Sequence, residues 1–402
     1  MGDHRTMASW GLLFCCLVAF CDGWDTQSIG PAAMPIAAEL GMPLSAMGPV
    51  FSAAQVGFIV GAAWLGPVGD RVGRRRVLLL AIALFALGSL CTGLASSYPF
   101  LLAARLLTGF GLGGATPNFI SMAAESVSPT LRPRAVMVAW ASVPLGGMAG
   151  AFAAAAIISA WGWRASFLVG FAAPILLLPL GLSLREPERK SVEQAPRVAI
   201  AALLAPTWRM RTLLMWAAAL TAQWTLIGVA NWTPILLGRA GLSPASAASG
   251  LALYNAGGVL GTLAMALTLT ARPPAGVLRW AGAAGVAAVA SIGVFAASGF
   301  PGGAVPAWGA AALAGALTTS AVGALLGVAT MTYPTPMRAG GVGWVVAFGR
   351  IGAILAPLAI GLLAASGARV DAIYAALALP LLVAAIAGHV LAQRGGVCFK
   401  EA

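Results

Sequence analysis

Gly66-Pro67-Val68-Gly69-Asp70-Arg71-Val72-Gly73-Arg74-Arg75-Arg76 separates two apolar runs, 45–69 and 75–96. Runs of about 20 residues cross about 30 Å of hydrocarbon as helices. A short glycine-containing link between two of them makes a tight reversal. Its four arginines belong on the cytoplasmic side, where short loops rich in Lys and Arg are retained. Topology requires no acid in such a loop, so Asp70 needs an explanation of its own.

Working outward, comparable runs recur at 9–38, 98–127, 133–160, 164–184, 209–238, 244–271, 275–299, 302–330, 337–366 and 369–392. With 60% hydrophobic and 8% charged residues over 402 positions, the chain reads as an all-α membrane protein of twelve transmembrane helices. The most charged interruption divides the spans six and six. The reading is an N-terminal half 1–184, a cytoplasmic linker 185–208 and a C-terminal half 209–402.

The net charge of +12 is a topology signal and excludes a nucleic-acid reading. Of 23 Lys and Arg residues, Arg105 and Arg350 fall inside spans and Arg164, Arg239 and Arg369 in odd-numbered loops. The others lie in even-numbered loops and the two tails. That bias puts both termini in the cytoplasm of a multi-pass protein in the bilayer. The N-terminal apolar run, interrupted by Asp22-Gly23-Trp24-Asp25, reads as a retained first span. Cys15, Cys16, Cys21, Cys91 and Cys398 form no CxxC, and His4 and His389 read as isolated residues, so neither a metal nor a cofactor is expected. No nucleophile and base pattern suggests an enzyme.

Asp22, Asp25, Arg105 and Arg350 carry the functional signal. A charged side chain at mid-membrane costs roughly 2.5–3.5 kcal/mol on insertion scales, so such residues line an aqueous pathway or pair with one another. Span 1 runs outward and span 4 inward, which places Asp25 and Arg105 at similar depth, so the two can meet. Desolvation favours neutral Asp25 and a neighbouring arginine favours the ion, the competition that makes a switchable proton site; a static ion pair is the alternative. Arg350 lies twelve residues along span 11 from Arg338, about 18 Å deep. Its planar fork suits a carboxylate, and pairing with Asp22 is its rival role. Trp24, Gln223, Tyr254, Trp344, Asn118, Asn231 and Asn255 are candidates for holding a ring and its hydroxyls. Gly57/Gly61, Gly109/Gly113, Gly146/Gly150 and Gly257/Gly261 would let helices pack closely.

The 66–76 loop resembles the G-x-x-x-D-R-x-G-R-R signature of the major facilitator superfamily. Arg105-Leu-Leu-Thr-Gly109-Phe-Gly111 resembles its R-x-x-x-G-x-G pattern. The resemblance implies the major facilitator fold and a gating latch formed by Asp70, Arg71, Arg74 and Glu125, in which Asp70 meets the start of helix 11 and an arginine pairs with Glu125. A solvated basic loop is the alternative, but it leaves Asp70 and Glu125 unexplained. More narrowly, Asp22-Gly23-Trp24-Asp25, the stretch Gly113 to Glu125 and Gly343-Trp344 through Gly349-Arg350-Ile-Gly352 resemble the aromatic acid:H⁺ symporter family. That resemblance implies a monomeric, proton-coupled importer of a small aromatic carboxylate in a bacterial inner membrane, using Asp22, Asp25 and Arg105 for coupling. A proton-driven exporter and a membrane chemosensor are the alternatives. Val143 in place of the glycine before Pro144 weakens the exporter reading. The absence of a loop longer than about 25 residues weakens the sensor reading.

Overall fold

The computed structural model describes residues 2–184, 200–268 and 273–395. They form α1 (Gly2–Glu39), α2 (Met47–Val72), α3 (Arg74–Gly93), α4 (Tyr98–Glu125), α5 (Arg132–Ser183), α6 (Ile200–Leu203), α7 (Pro206–Arg239), α8 (Pro244–Thr268), α9 (Pro274–Ala297), α10 (Val305–Thr332), α11 (Thr335–Ala365), α12 (Val370–Ala378) and α13 (Leu381–Gly395). Nine helices among the described residues are long and apolar enough to cross a membrane. The 52-residue α5 supplies two crossings, and α4 and α8 have sufficient length although glycine and polar residues dilute their hydropathy. Together these account for the twelve expected spans.

Two boundaries differ from the sequence reading. Spans 5 and 6 are joined by a kink at Gly162 (φ 78°, ψ 167°) instead of a loop, a conformation that glycine alone adopts cheaply. The last span is broken, α12 ending before Leu379-Pro380 and α13 resuming after it. Pro380 has no N–H for the Ala376 carbonyl, a serious defect within hydrocarbon. Trp224 Nε1 donates to that oxygen at 3.1 Å and Thr225 Oγ1 to the Leu377 carbonyl at 2.7 Å, so α7 satisfies the break. Trp224→Phe is expected to cost about 1–3 kcal/mol by orphaning the Ala376 carbonyl, read as a lower Tm in detergent. The helix α7 begins three residues ahead of the expected start of span 7; residues 185–199 of the linker, Arg272 and Cys398 lie outside the described residues.

The chain separates into two compact units, Met1–Lys190 with Thr233–Gly238 and Leu242–Ala252, and Ser191–Trp232 with Arg239–Gly241 and Leu253–Ala402. Each unit repeats one packing device. In the first, a methyl group on Gly57 or Gly61 of α2 would overlap the Leu106 or Phe110 carbonyl of α4, and one on Gly109 or Gly113 would overlap Ala54 or Phe58 of α2. In the second, Gly257 and Gly261 of α8 lie on Ala312 and Ala316 of α10, and Gly315 lies on Tyr254. The pair α1 with α5 is closed by Gly23 and Gly146, and α7 with α11 by Gly352 on the Leu220 carbonyl. Water gives no hydrophobic drive to helix association inside lipid, so backbone approach at small residues is what holds helices together. Gly109→Val is expected to abolish the monodisperse protein peak in fluorescence-detected size-exclusion chromatography.

Candidate functional site

In the first unit, α1 and α4 carry the intramembrane charges. Arg105 Nη1 donates to Asp25 Oδ2 at 3.1 Å, with both side chains at least 98% buried. The pair is incompletely satisfied, because Asp25 Oδ1 and Arg105 Nε are buried without hydrogen-bond partners. Leaving such an atom unmatched costs about 1–3 kcal/mol. Asp22, also buried, accepts from Thr26 Oγ1 at 3.3 Å.

At one end of the same unit, Gly73 (φ 120°) makes the turn from α2 to α3. Arg74 opens α3 and donates from Nε and Nη2 to Asp70 Oδ1 at 3.3 and 3.1 Å, while its Nη1 meets Glu125 at the end of α4. Asp70 is exposed, and so is Arg71. Arg75 adds 2.7 and 2.5 Å bonds to the Gly181 and Leu182 carbonyls, tying the start of α3 to the end of α5. The opposite end carries a second cluster absent from the sequence reading. Arg164 donates to Glu39 Oε1 at 2.7 Å and to the Gly93 and Ala95 carbonyls, and Trp163 Nε1 donates to Glu39 Oε2.

In the second unit, Gln223 of α7 lies against Gly349 of α11, whose missing side chain makes room for it. Gln223 is twelve residues from Arg211 and Arg350 twelve from Arg338, so each lies about 18 Å along its helix from that arginine. Arg350 is half-buried. Toward the N-terminal ends of α7 and α11 from these residues, Trp216 stacks on Phe348 with centroids 4.0 Å apart and planes 9° from parallel, and Trp344 leans on both. The buried Trp216 Nε1 and Gln223 Oε1 have no hydrogen-bond partner. Trp344 and Gln223 are among the residues named from the sequence, and Trp216 and Phe348, which pack against Trp344, are not. The four-residue spacing of Trp344 and Phe348 on one helical face was the available signal.

Several ring-binding candidates are otherwise engaged. Asn118 Nδ2 donates to the Gly114 carbonyl at 2.8 Å and the Leu65 carbonyl at 3.4 Å, and its Oδ1 packs on Gly69; it is a spacer between α4 and α2. The Tyr254 hydroxyl is 2.9 Å from Thr318 Oγ1 and 3.2 Å from the Leu226 carbonyl, bonds internal to the second unit. Trp24 lines a cavity of about 240 Å³ between α1 and the second arm of α5 with Cys21, Gly170 and Pro174. Asn231 and Asn255 are buried. His389 is not isolated, since Arg279 Nη1 lies 3.3 Å from its Nδ1. No group of His, Cys, Asp and Glu suited to a metal occurs among the described residues.

Comparisons with known proteins agree with this architecture. The family model described as Major Facilitator Superfamily matches residues 15–331. The chain is 34% identical to the 3-(3-hydroxy-phenyl)propionate transporter of Escherichia coli (strain K12), across 98% of this chain and 95% of that one. It is 31% identical to the gallate transporter of Pseudomonas putida, across 96% and 92%. Its fold is similar to the crystal structure of a D-xylose-proton symporter, with a TM-score of 0.78 over 94% of this chain and 96% of that one at 16% identity. Twelve crossings, buried intramembrane charge and a family match over most of the chain lead to one assignment: this protein is a membrane transporter belonging to the Major Facilitator Superfamily.

Proposed function

We propose that the chain imports a small aromatic carboxylate across a bacterial inner membrane together with protons, as a monomer with both termini cytoplasmic. The observation that carries the substrate class is the whole-length similarity to transporters of hydroxylated aromatic acids. Proton coupling is supported by the buried Asp25–Arg105 pair and its unmatched carboxylate oxygen. Asp25 takes the proton, Asp22 assists from three residues away on the same helix, and Arg105 holds the ionised form.

Arg350 takes the substrate carboxylate through its fork. Gln223 at the same depth accepts from a ring hydroxyl, and Trp344 with Trp216 and Phe348 forms an aromatic floor. Asp70, Arg71, Arg74 and Glu125 serve as a cytoplasmic latch of alternating access by two halves, 1–184 and 209–402, joined through 185–208. Trp24, Asn231 and Asn255 have weaker claims, and Asn118 and Tyr254 are spent on packing.

Uptake of radiolabelled 3-(3-hydroxyphenyl)propionate, 4-hydroxybenzoate and benzoate into energised vesicles tests this reading. Accumulation that a protonophore abolishes is the expected result. Proton-driven efflux of the same acids would transfer the assignment to an exporter, and movement of none of them would remove the substrate class.

A further inference from the structure

The unmatched oxygen of Asp25 has a specific neighbourhood. A methyl group on Gly170, in the second arm of α5, would sit 2.7 Å from Ser89 Oγ of α3 and 3.6 Å from Asp25 Oδ1. Both oxygens therefore lie beside one bare Cα, Ser89 Oγ in space that a side chain at 170 would occupy and Asp25 Oδ1 at ordinary contact distance from it, with no hydrogen bond joining them. Ser89 is fully buried and donates to the Phe167 carbonyl at 3.2 Å, a long bond that leaves its lone pairs available. Gly170 also lines the 240 Å³ cavity that includes Cys21 and Trp24. One turn away, Ser166 is fully buried with its hydroxyl unmatched.

We infer that Asp25 gains and loses its proton at Oδ1, that the Ser89 hydroxyl is the group that turns to meet that oxygen, and that Gly170 keeps open the space through which it turns. This rests on Asp25 being the coupling acid. In the protonated state Ser89 donates to the Phe167 carbonyl, as in the structure, and Oδ1 carries its proton without a bond to Ser89. In the ionised state Ser89 rotates about χ1 and donates to Oδ1, and Oδ2 keeps Arg105. Only the O–H bond on Asp25 forms or breaks, and the proton comes from and returns to water.

The ionisable groups facing Asp25 are Arg105 from α4 and Asp22 and Cys21 from its own helix. The helix α3 brings Ser89, and α5 brings Gly170; the nearest charge on that arm, Arg164, is engaged by Glu39 and two carbonyls. Ser89 is thus the polar group on α3 placed to turn toward the ionised carboxylate. Since it acts through Asp25 and not on substrate, it is a positioning residue.

The test compares net proton-driven accumulation with exchange of labelled for unlabelled 3-(3-hydroxyphenyl)propionate across de-energised vesicles, a process without net proton movement. Ser89→Ala is expected to lower the ratio of accumulation to exchange by about tenfold or more, the loss for one hydrogen bond to an ionisable group. Ser89→Thr, which keeps the hydroxyl, should restore it. Gly170→Ala should act like Ser89→Ala by filling the space through which the hydroxyl turns toward Oδ1. Equal falls in accumulation and exchange, or an unchanged ratio in Ser89→Ala, would overturn the inference and leave the transport reading intact. Retained accumulation in Asp25→Asn would overturn both.

Discussion

Arg105→Ala is expected to destabilise the protein by about 3–5 kcal/mol, because it leaves Asp25 as an unpaired acid in a site 1% exposed. Less protein should reach the membrane fraction, and the purified remainder should melt well below wild type. Asp25→Asn with Arg105→Gln removes both charges and should recover most of that loss, since an ion pair replaced as a unit no longer carries an uncompensated charge. The double variant should nevertheless fail to accumulate substrate against a gradient. A stable Arg105→Ala variant would mean that the acid is held neutral or hydrated, and that the arginine is dispensable to the fold. The stability and transport arms thereby separate the static ion pair from the proton switch.

Arg350→Lys is expected to raise KM for an aromatic carboxylate by about 10- to 100-fold, the equivalent of one charge-assisted hydrogen bond of about 1.5–3 kcal/mol. The positive charge survives in this variant, but the planar pair of N–H donors does not. An unchanged KM would place the carboxylate elsewhere. The rival role, pairing with Asp22, has its own signature: Arg350→Gln would then be rescued by Asp22→Asn, which substrate anchoring does not allow.

The fold was largely legible because hydrocarbon is a strict solvent. Run length placed the spans to within a few residues, and the Gly73 turn was readable in the loop that opens the chain's third helix. The misreadings came from backbone chemistry at single residues. Gly162 replaced a loop with a kink, and Pro380 split a span whose hydropathy is continuous. For the sites, charge was the legible quantity. Asp25, Arg105, Arg74 and Glu125 were recognisable because charge inside or beside an apolar run demands a reason. Asn118 and Tyr254 misled because a polar group in a helix has the same sequence signature whether it meets a ligand or a neighbouring carbonyl. Ser89 and Gly170 gave no signal, since small residues are common at every helix contact.

The interlocked glycines also fix what a spectroscopist can use as a ruler. Sliding α4 along α2 by one residue would bring a side chain to a spot where Gly57, Gly61, Gly109 and Gly113 admit only backbone. Probes placed on the exposed faces of α2 and α4 should therefore keep one separation whatever ligand or proton is bound. The same holds for α8 and α10, locked by Gly257, Gly261 and Gly315. Each pair provides an internal length standard, against which any other interval that changes during turnover can be calibrated in the same sample.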